Sequence, residues 1–161
     1  MRAAILLPGT VTIPIPAALL AIGGADIGWL AGLWAALPLV AGAALVLTGL
    51  AVWSATVRLF ARVGEGTLAP WDPTRKLVVL GPYRYVRNPM ITGVLLVLLG
   101  EAALFGSPWI LAWAAAFFAI NAVWFRLVEE PGLMERFGRD YADYQRAVPR
   151  WLPRRRPWTP S

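Results

Sequence analysis

Hydrophobic and polar positions divide the chain into four long apolar segments separated by polar connections. The segments cover roughly residues 3–22, 37–60, 89–105 and 108–128. Each is close to the roughly 20 residues with which an α-helix crosses the hydrocarbon core of a bilayer. The pattern predicts an all-α polytopic membrane protein with about four transmembrane helices.

The first segment has a second interpretation, because Arg2 followed by an apolar run is also how a signal peptide begins. The length of the run, and the lack of a convincing cleavage site after it, favour a transmembrane helix. Three prolines interrupt the segment, which is tolerated where neighbouring helices satisfy the freed carbonyls.

An amphipathic helix is predicted after the fourth segment. Its apolar residues are spaced by four, four, three and four positions and so share one helical face: Leu133, Phe137, Tyr141, Tyr144 and Val148. Pro149 ends the pattern. Such a helix, with the tail that follows, lies along the inner membrane surface or folds over the helix bundle.

The basic residues are distributed unevenly. Of the 15 Lys and Arg residues, six lie between positions 58 and 87 and eight between 126 and 156, whereas residues 23–36 have none. The positive-inside rule then places both termini and the central connection in the cytoplasm. Near the opposite face, an aromatic belt is expected from Trp29, Trp34 and Trp109.

Composition supports the membrane interpretation and narrows the chemistry. The chain is 58% hydrophobic and 15% charged, with a mean hydropathy of +0.60. It has no Cys and no His, which excludes disulfides, thiolate nucleophiles, His-bound metals and imidazole bases. The net charge is +6, and the basic residues lie beside the membrane segments. The expected partners are therefore anionic lipid headgroups rather than nucleic acid. One domain, 1–161, is predicted, with a helix pair at 1–62 and a core at 63–153.

The segment at residues 80–93, Leu-Gly-Pro-Tyr-Arg-Tyr-Val-Arg-Asn-Pro-Met-Ile-Thr-Gly, is the first candidate for chemistry. Pro89 can begin a helix, so Arg84 and Arg87 lie near a helix N-terminus, whose free N–H groups favour an anion. This predicts binding of a ligand carboxylate or phosphate. The alternative is a membrane-boundary loop in which Arg reaches headgroups and Tyr anchors at the interface.

Glu129 and Glu130 are the second candidate, at the expected C-terminus of the fourth segment. Carboxylates at a helix C-terminus interact unfavourably with the helix dipole, at a cost of about 0.3–1 kcal/mol each. We therefore expect a compensating arginine or a ligand ammonium nearby. The alternative is a solvated helix end paired with Arg126. A cationic segment and an acidic pair together predict a site for a small zwitterionic ligand.

Glu101 lies within the third apolar segment, where a carboxylate costs about 2.5–3.5 kcal/mol on insertion scales. It is far along the helix from the other candidates. We therefore favour a structural role for Glu101 over a place in a polar cavity.

Five stretches occur in a characteristic order: Gly-Glu-Gly-Thr-Leu-Ala-Pro at 64–70, Gly-Pro-Tyr-Arg-Tyr-Val-Arg-Asn-Pro-Met at 81–90, Glu-Glu-Pro-Gly-Leu at 129–133, Phe-Gly-x-x-Tyr-x-x-Tyr at 137–144 and Val-Pro-Arg-Trp-Leu-Pro at 148–153. In these stretches the chain resembles the integral-membrane methyltransferases, which include isoprenylcysteine carboxyl methyltransferases and phospholipid methyltransferases. The resemblance covers about residues 64–153, and the first two helices match only in general hydrophobicity.

The resemblance implies an S-adenosylmethionine-dependent methyltransferase of a bacterial inner membrane, acting on a prenylated carboxylate or a lipid-like acceptor. It implies contacts to the amino-acid and sulfonium end of the cofactor from Gly81, Tyr83, Arg87, Asn88 and Pro89. It likewise implies contacts to the ammonium or ribose from Glu129 and Glu130, and a lid and acceptor side formed by Tyr141, Tyr144 and Arg150.

Methyl transfer from a sulfonium needs in-line placement and little else. Arg150 and Glu130 are the catalytic candidates: Arg150 could orient a carboxylate acceptor, whereas an amine acceptor would lose a proton to Glu129 or Glu130.

Two positions depart from the family pattern, since Asn88 replaces a His of the eukaryotic proteins and Ile91 replaces a common Tyr. Asn88 can still bind a carboxylate, but the missing Tyr weakens the prediction of the acceptor pocket.

Two other functions fit the sequence. One is a membrane NADPH-dependent reductase of related architecture, for which residues 154–156 are the one candidate phosphate-binding cluster. The other is a non-catalytic membrane accessory protein that has kept the fold.

Overall fold

The computed structural model describes residues 8–25, 36–63 and 77–159, which are mostly helical, with no β-strand in these ranges. The helices are α1 (Pro14–Gly23), α2 (Ala36–Val63), α3 (Pro89–Phe105), α4 (Pro108–Trp124) and α5 (Glu130–Ala147). A 3₁₀ turn, Gly81–Arg84, precedes α3, and a π-helical segment, Phe125–Glu129, joins α4 to α5. The prediction of an all-α fold is confirmed. Trp29, Trp34 and the stretch at 64–70 lie outside the described residues.

Among the described residues, two helices are long and apolar enough to cross a membrane. They are the stretch Ala36–Leu59 of α2 and the helix Pro108–Ala147, which contains both α4 and α5. Two further apolar helices, Pro8–Gly23 and Pro89–Phe105, are shorter. The two long helices agree with a membrane protein, whereas four crossings and the orientation stay predictions.

Apolar side chains on both long helices point away from the protein. Val40 and Leu47 of α2 are each 68% exposed, and Ile120 of α4 is 62% exposed. A large outward apolar surface is costly in water but favourable in contact with lipid tails. The outer surface therefore fits a bilayer better than an aqueous solvent.

The backbones of α2 and α3 are in direct contact, and glycines make this close approach possible. A Cβ atom on Gly49 would lie 2.5 Å from the carbonyl oxygen of Gly93, and one on Gly93 would lie 2.9 Å from that of Gly49. Gly42 and Gly100 repeat this reciprocal contact at 2.9 and 2.6 Å. Because the residue numbers rise on one helix as they fall on the other, α2 and α3 are antiparallel. Small residues at such contacts are typical of helix pairs in membranes.

α3 lies between α2 and α4. Val94 and Leu98 of α3 form a buried cluster with Ala114 of α4. A tight turn separates α3 from α4, and the side chain of Ser107 accepts a hydrogen bond of 3.4 Å from the backbone N–H of Ile110. This N-cap fixes the direction in which α4 leaves the turn.

The fourth apolar segment does not end before Glu129, as the sequence predicts, but continues through the π-helical segment into α5. The backbone N–H of Glu130 donates to the carbonyl of Phe125, five residues earlier. This wider turn accommodates Pro131, which has no N–H to donate and would clash in a regular α-helix. Glu129 and Glu130 therefore do not lie at a helix C-terminus, and the predicted penalty from the helix dipole does not apply to them.

The amphipathic helix predicted after the fourth segment is α5. Tyr141, Tyr144 and Val148 form a buried cluster, and Leu133 packs against it, as the spacing predicts. The helix bends at Gly138, whose φ of +51° and ψ of −120° are not helical. A positive φ of this kind favours glycine, because other residues have a Cβ that is strained there.

Beyond α5, the tail at residues 148–158 turns back over the bundle. The ring of Trp151 packs edge-on against Phe118 of α4 and Phe125 of the π-helical segment, with centroid distances of 5.2 and 5.9 Å. Trp158 lies 5.6 Å from Tyr144. Folding over the bundle is one of the two placements predicted for this part of the chain.

The glycine contacts predict that Gly49→Ala destabilises the protein by about 1–3 kcal/mol, since the added methyl group would force α2 and α3 apart. Thermal unfolding in detergent, followed by tryptophan fluorescence, measures this change. The matched control is Gly9→Ala, because a Cβ on Gly9 would meet nothing within 4 Å. Equal unfolding temperatures for the two variants would contradict a contact that depends on glycine.

Candidate functional site

A buried carboxylate, Glu130, binds two arginines from distant parts of the chain. Arg87 Nη1 lies 2.7 Å from Oε1, and Arg150 donates from Nε to Oε1 and from Nη2 to Oε2, both at 2.7 Å. Gln145 Nε2 also donates to Oε2, at 3.2 Å. The side chains of Arg87 and Glu130 are only 10% and 9% exposed. We call these four residues the Glu130 cluster, and it carries one positive charge in excess.

Three local structures bring the charges of the cluster together. Arg87 follows the 3₁₀ turn and immediately precedes the N-cap of α3, while Glu130 is held at the beginning of α5 by the π-helical segment. Arg150 lies in the tail, just beyond the end of α5. Its hydrogen bonds to Glu130 raise the pKa of the Arg150 guanidinium, so that it stays charged. A bidentate arginine–carboxylate pair also fixes the relative orientation of the two side chains.

Tyrosines border the cluster. The hydroxyl of Tyr141 accepts a long hydrogen bond of 3.4 Å from Arg87 Nη1, and that of Tyr144 donates to the carbonyl of Tyr83 at 2.7 Å. Burial raises the pKa of Tyr83 above its ordinary value of 10, so its phenol is neutral near pH 7. The tyrosines therefore act as neutral hydrogen-bonding groups and as packing surface.

Backbone hydrogen bonds attach the tail to residues 84–87. Arg87 N–H donates to Pro149 at 2.9 Å, and Arg154 N–H donates to Tyr85 at 3.0 Å. Farther along, Trp158 N–H donates to Arg84 at 2.9 Å. The tail thus runs antiparallel to the segment that the sequence singles out and covers one side of it.

Two buried donors at the start of α3 have no hydrogen-bond partner in the described part of the protein. They are Arg87 Nε and Asn88 Nδ2. Asn88 is only 8% exposed and is the N-cap residue of α3, yet its side chain does not cap the helix. Leaving a buried donor unsatisfied costs about 1–3 kcal/mol, so these atoms indicate where an acceptor-bearing ligand fits.

The structure brings together many of the residues that the sequence predicts. Arg87, Glu130, Tyr141 and Arg150 are in contact, and Tyr83 and Tyr144 lie beside them. Pro89 begins α3, and Gly81 begins the 3₁₀ turn with a φ of +53°. The roles of these residues in binding and catalysis stay predictions.

The two adjacent glutamates have different environments. Glu130 already accepts hydrogen bonds from Arg87, Arg150 and Gln145, so a ligand ammonium would have to displace one of these donors. Glu129 does not belong to the Glu130 cluster and interacts electrostatically with Arg136. The two carboxylates therefore have different partners in the described structure, and their predicted contacts to a cofactor stay predictions.

The hydrogen bond between Gln145 and Glu130 was not predicted from the sequence. The available signal was the position of Gln145 four residues after Tyr141, which places it near the same face of α5. Also not predicted was the anchoring of Arg84, whose Nε donates to the carbonyl of Trp158 at 2.8 Å. No local sequence pattern predicts this contact, because Arg84 and Trp158 are far apart in the chain.

An apolar groove of about 520 Å³ follows the outer face of α4 and the π-helical segment. It is lined by Ala119, Ile120, Val123, Trp124, Leu127 and Val128. The last lining residue, Val128, directly precedes Glu129 in the chain.

Glu101 lies on α3 about 20 Å along the helix from Asn88. Its Oε2 is buried and has no hydrogen-bond partner among the described residues. Its distance from the Glu130 cluster agrees with a role outside the candidate site.

In a comparison with protein families, the family model of phospholipid methyltransferases matches residues 34–140. This range takes in α2, the segment at 80–93, α3, α4 and part of α5, including Arg87 and Glu130. Nothing matches in the comparisons with curated proteins and with solved structures.

The cluster predicts that Glu130→Gln loosens the tail, because Arg87 and Arg150 would keep their charges without a counter-ion. Removing one partner of a buried ion pair costs about 3–5 kcal/mol, and the partial exposure of Arg150 favours the lower end. We expect faster trypsin cleavage after Arg150 in detergent, with the fragments identified by mass spectrometry. Glu135→Gln, the same change at an exposed position of α5, is the control. Equal cleavage rates for the two variants would show that the cluster does not hold the tail.

Proposed function

Since this chain belongs to the phospholipid methyltransferase family, we propose that it transfers a methyl group from S-adenosylmethionine to a lipid-like acceptor. The reaction takes place at the cytoplasmic face of the membrane, where the positive-inside rule locates the segment at 80–93 and the tail. In this arrangement α3 is a third crossing, because it runs antiparallel along α2 at the same depth. The apolar helix Pro8–Gly23 is the remaining crossing.

The observation that carries the proposal is the pair of unsatisfied buried donors at the start of α3, Arg87 Nε and Asn88 Nδ2. The N-terminus of a helix adds free N–H groups and a favourable potential for an anion. A carboxylate satisfies all of these donors, and the amino-acid end of S-adenosylmethionine has one. The residues present therefore fit this cofactor.

When bound, S-adenosylmethionine supplies a methyl group on a sulfonium centre. The chain itself binds and orients the reactants and excludes water, which suffices for a reaction governed by placement. We assign Glu130 a positioning role, because it fixes Arg87 and Arg150 through three hydrogen bonds. Arg150 remains available to an acceptor carboxylate or phosphate through Nη1, which makes no hydrogen bond with the described residues.

For an amine acceptor, Glu129 is the better candidate to receive the proton. Glu130 is surrounded by protein donors, whereas Glu129 lies outside that cluster and directly follows the residues that line the apolar groove. The groove supports an acceptor whose hydrocarbon chain approaches from the lipid. In this proposal Glu130 positions the two arginines, and Glu129 acts as the general base.

Titration with both candidate cofactors tests the proposal. The protein in nanodiscs should bind S-adenosylmethionine in calorimetry and show no heat of binding with NADPH. Binding of NADPH alone would favour the reductase instead. Binding of neither would favour the non-catalytic accessory protein.

Asn88→Ala should weaken the binding of S-adenosylmethionine by roughly 10-fold or more, the factor for losing a hydrogen bond to a charged group. The stability of the unliganded protein should not fall, because the variant removes a donor that is unsatisfied without ligand. Calorimetry and thermal unfolding measure the two quantities separately.

The control is Asn121→Ala, whose amide donates to the carbonyl of Phe117 within α4. Its cofactor affinity should match that of the wild type. If Asn88→Ala also binds as tightly as the wild type, the start of α3 does not hold the cofactor carboxylate.

A further inference from the structure

A second cationic group lies in the tail, apart from the Glu130 cluster. Residues 154–158, which we call the arginine turn, are fixed at both ends by backbone hydrogen bonds. Arg154 N–H donates to Tyr85 at 3.0 Å, and Trp158 N–H donates to Arg84 at 2.9 Å. Between these two anchors, Arg155 and Arg156 are exposed.

The arginine turn has donors without acceptors. Arg154 Nη1 is buried and has no hydrogen-bond partner among the described residues. Arg84 is held against the same turn through its Nε bond to Trp158. Within the described ranges, neither these two arginines nor Arg155 and Arg156 form an ion pair with a carboxylate. The carboxylates of the described residues therefore do not neutralise this concentration of positive charge.

The chemistry of the turn fits a phosphate group. Guanidinium groups offer paired N–H donors in a plane that matches two oxygens of a phosphate. Leu152, two residues before Arg154, is 79% exposed, so an apolar side chain accompanies the arginines at the surface. An apolar residue beside unpaired arginines is suited to the boundary between headgroups and acyl chains.

We propose that the arginine turn, with Arg84, binds the phosphate of an anionic membrane lipid at a site separate from methyl transfer. The bound lipid holds the tail at the membrane surface and satisfies Arg154 Nη1. The site does not depend on the proposed reaction, because none of its residues belongs to the Glu130 cluster.

Native mass spectrometry in detergent tests this site with two lipids, phosphatidylglycerol and uncharged diacylglycerol. The wild type should retain phosphatidylglycerol selectively. Arg154→Lys should weaken this retention by roughly fivefold or more, since lysine keeps the charge but has no planar pair of donors. The backbone anchor to Tyr85 is unchanged in this variant, so trypsin protection of the tail in lipid-free detergent should stay as in the wild type.

Arg139→Lys, at an exposed position of α5, is the matched control and should retain lipid normally. Equal retention by Arg154→Lys and the control would overturn the site, as would equal retention of the two lipids by the wild type. Displacement of the lipid by millimolar inorganic phosphate would show a site for free anions and overturn the lipid assignment. Affinity for S-adenosylmethionine, measured in parallel, should not change in Arg154→Lys, which separates this proposal from the proposed reaction.

Discussion

The pairing of Glu130 with Arg87 and Arg150 is the interaction on which the candidate site depends. Arg87 and Glu130 would each be costly to bury alone, so their burial is favourable only when the pairing is in place. Short charge-assisted hydrogen bonds at 2.7 Å join the start of α3, the start of α5 and the tail. Because these parts are distant in the chain, the cluster converts three separate segments into one rigid unit.

The position of the cluster is set by the helices beneath it. The glycine contacts between α2 and α3 fix where α3 begins, and therefore where Arg87 and Asn88 lie. The continuous helix Pro108–Ala147 carries Glu130 past the end of its apolar part without a loop that could move. The site thus depends on α2, although α2 contributes none of the residues of the Glu130 cluster.

Sequence patterns predicted the features that depend on periodicity and charge. The apolar segments, the buried face of α5 and the meeting of cationic and acidic segments follow from residue spacing. The π-helical segment could not be predicted, since a hydrogen bond over five residues is a compromise around Pro131 and not a preference of the local residues. The hydrogen bond from Gln145 to Glu130 was missed because the spacing of Gln145 from Tyr141 indicates a shared helix face but no particular partner.

The charge balance of the site indicates which kind of ligand it favours. The Glu130 cluster has an excess positive charge, and its unsatisfied neighbours Arg87 Nε and Asn88 Nδ2 are both donors. A ligand that presents an anion to this point therefore gains more than one that presents an ammonium, which would compete with arginines for Glu130. This favours a positioning role for Glu130 in the proposed reaction, because Glu130 fixes Arg87 and Arg150. Glu129 is then the proposed acceptor of a proton from an amine substrate.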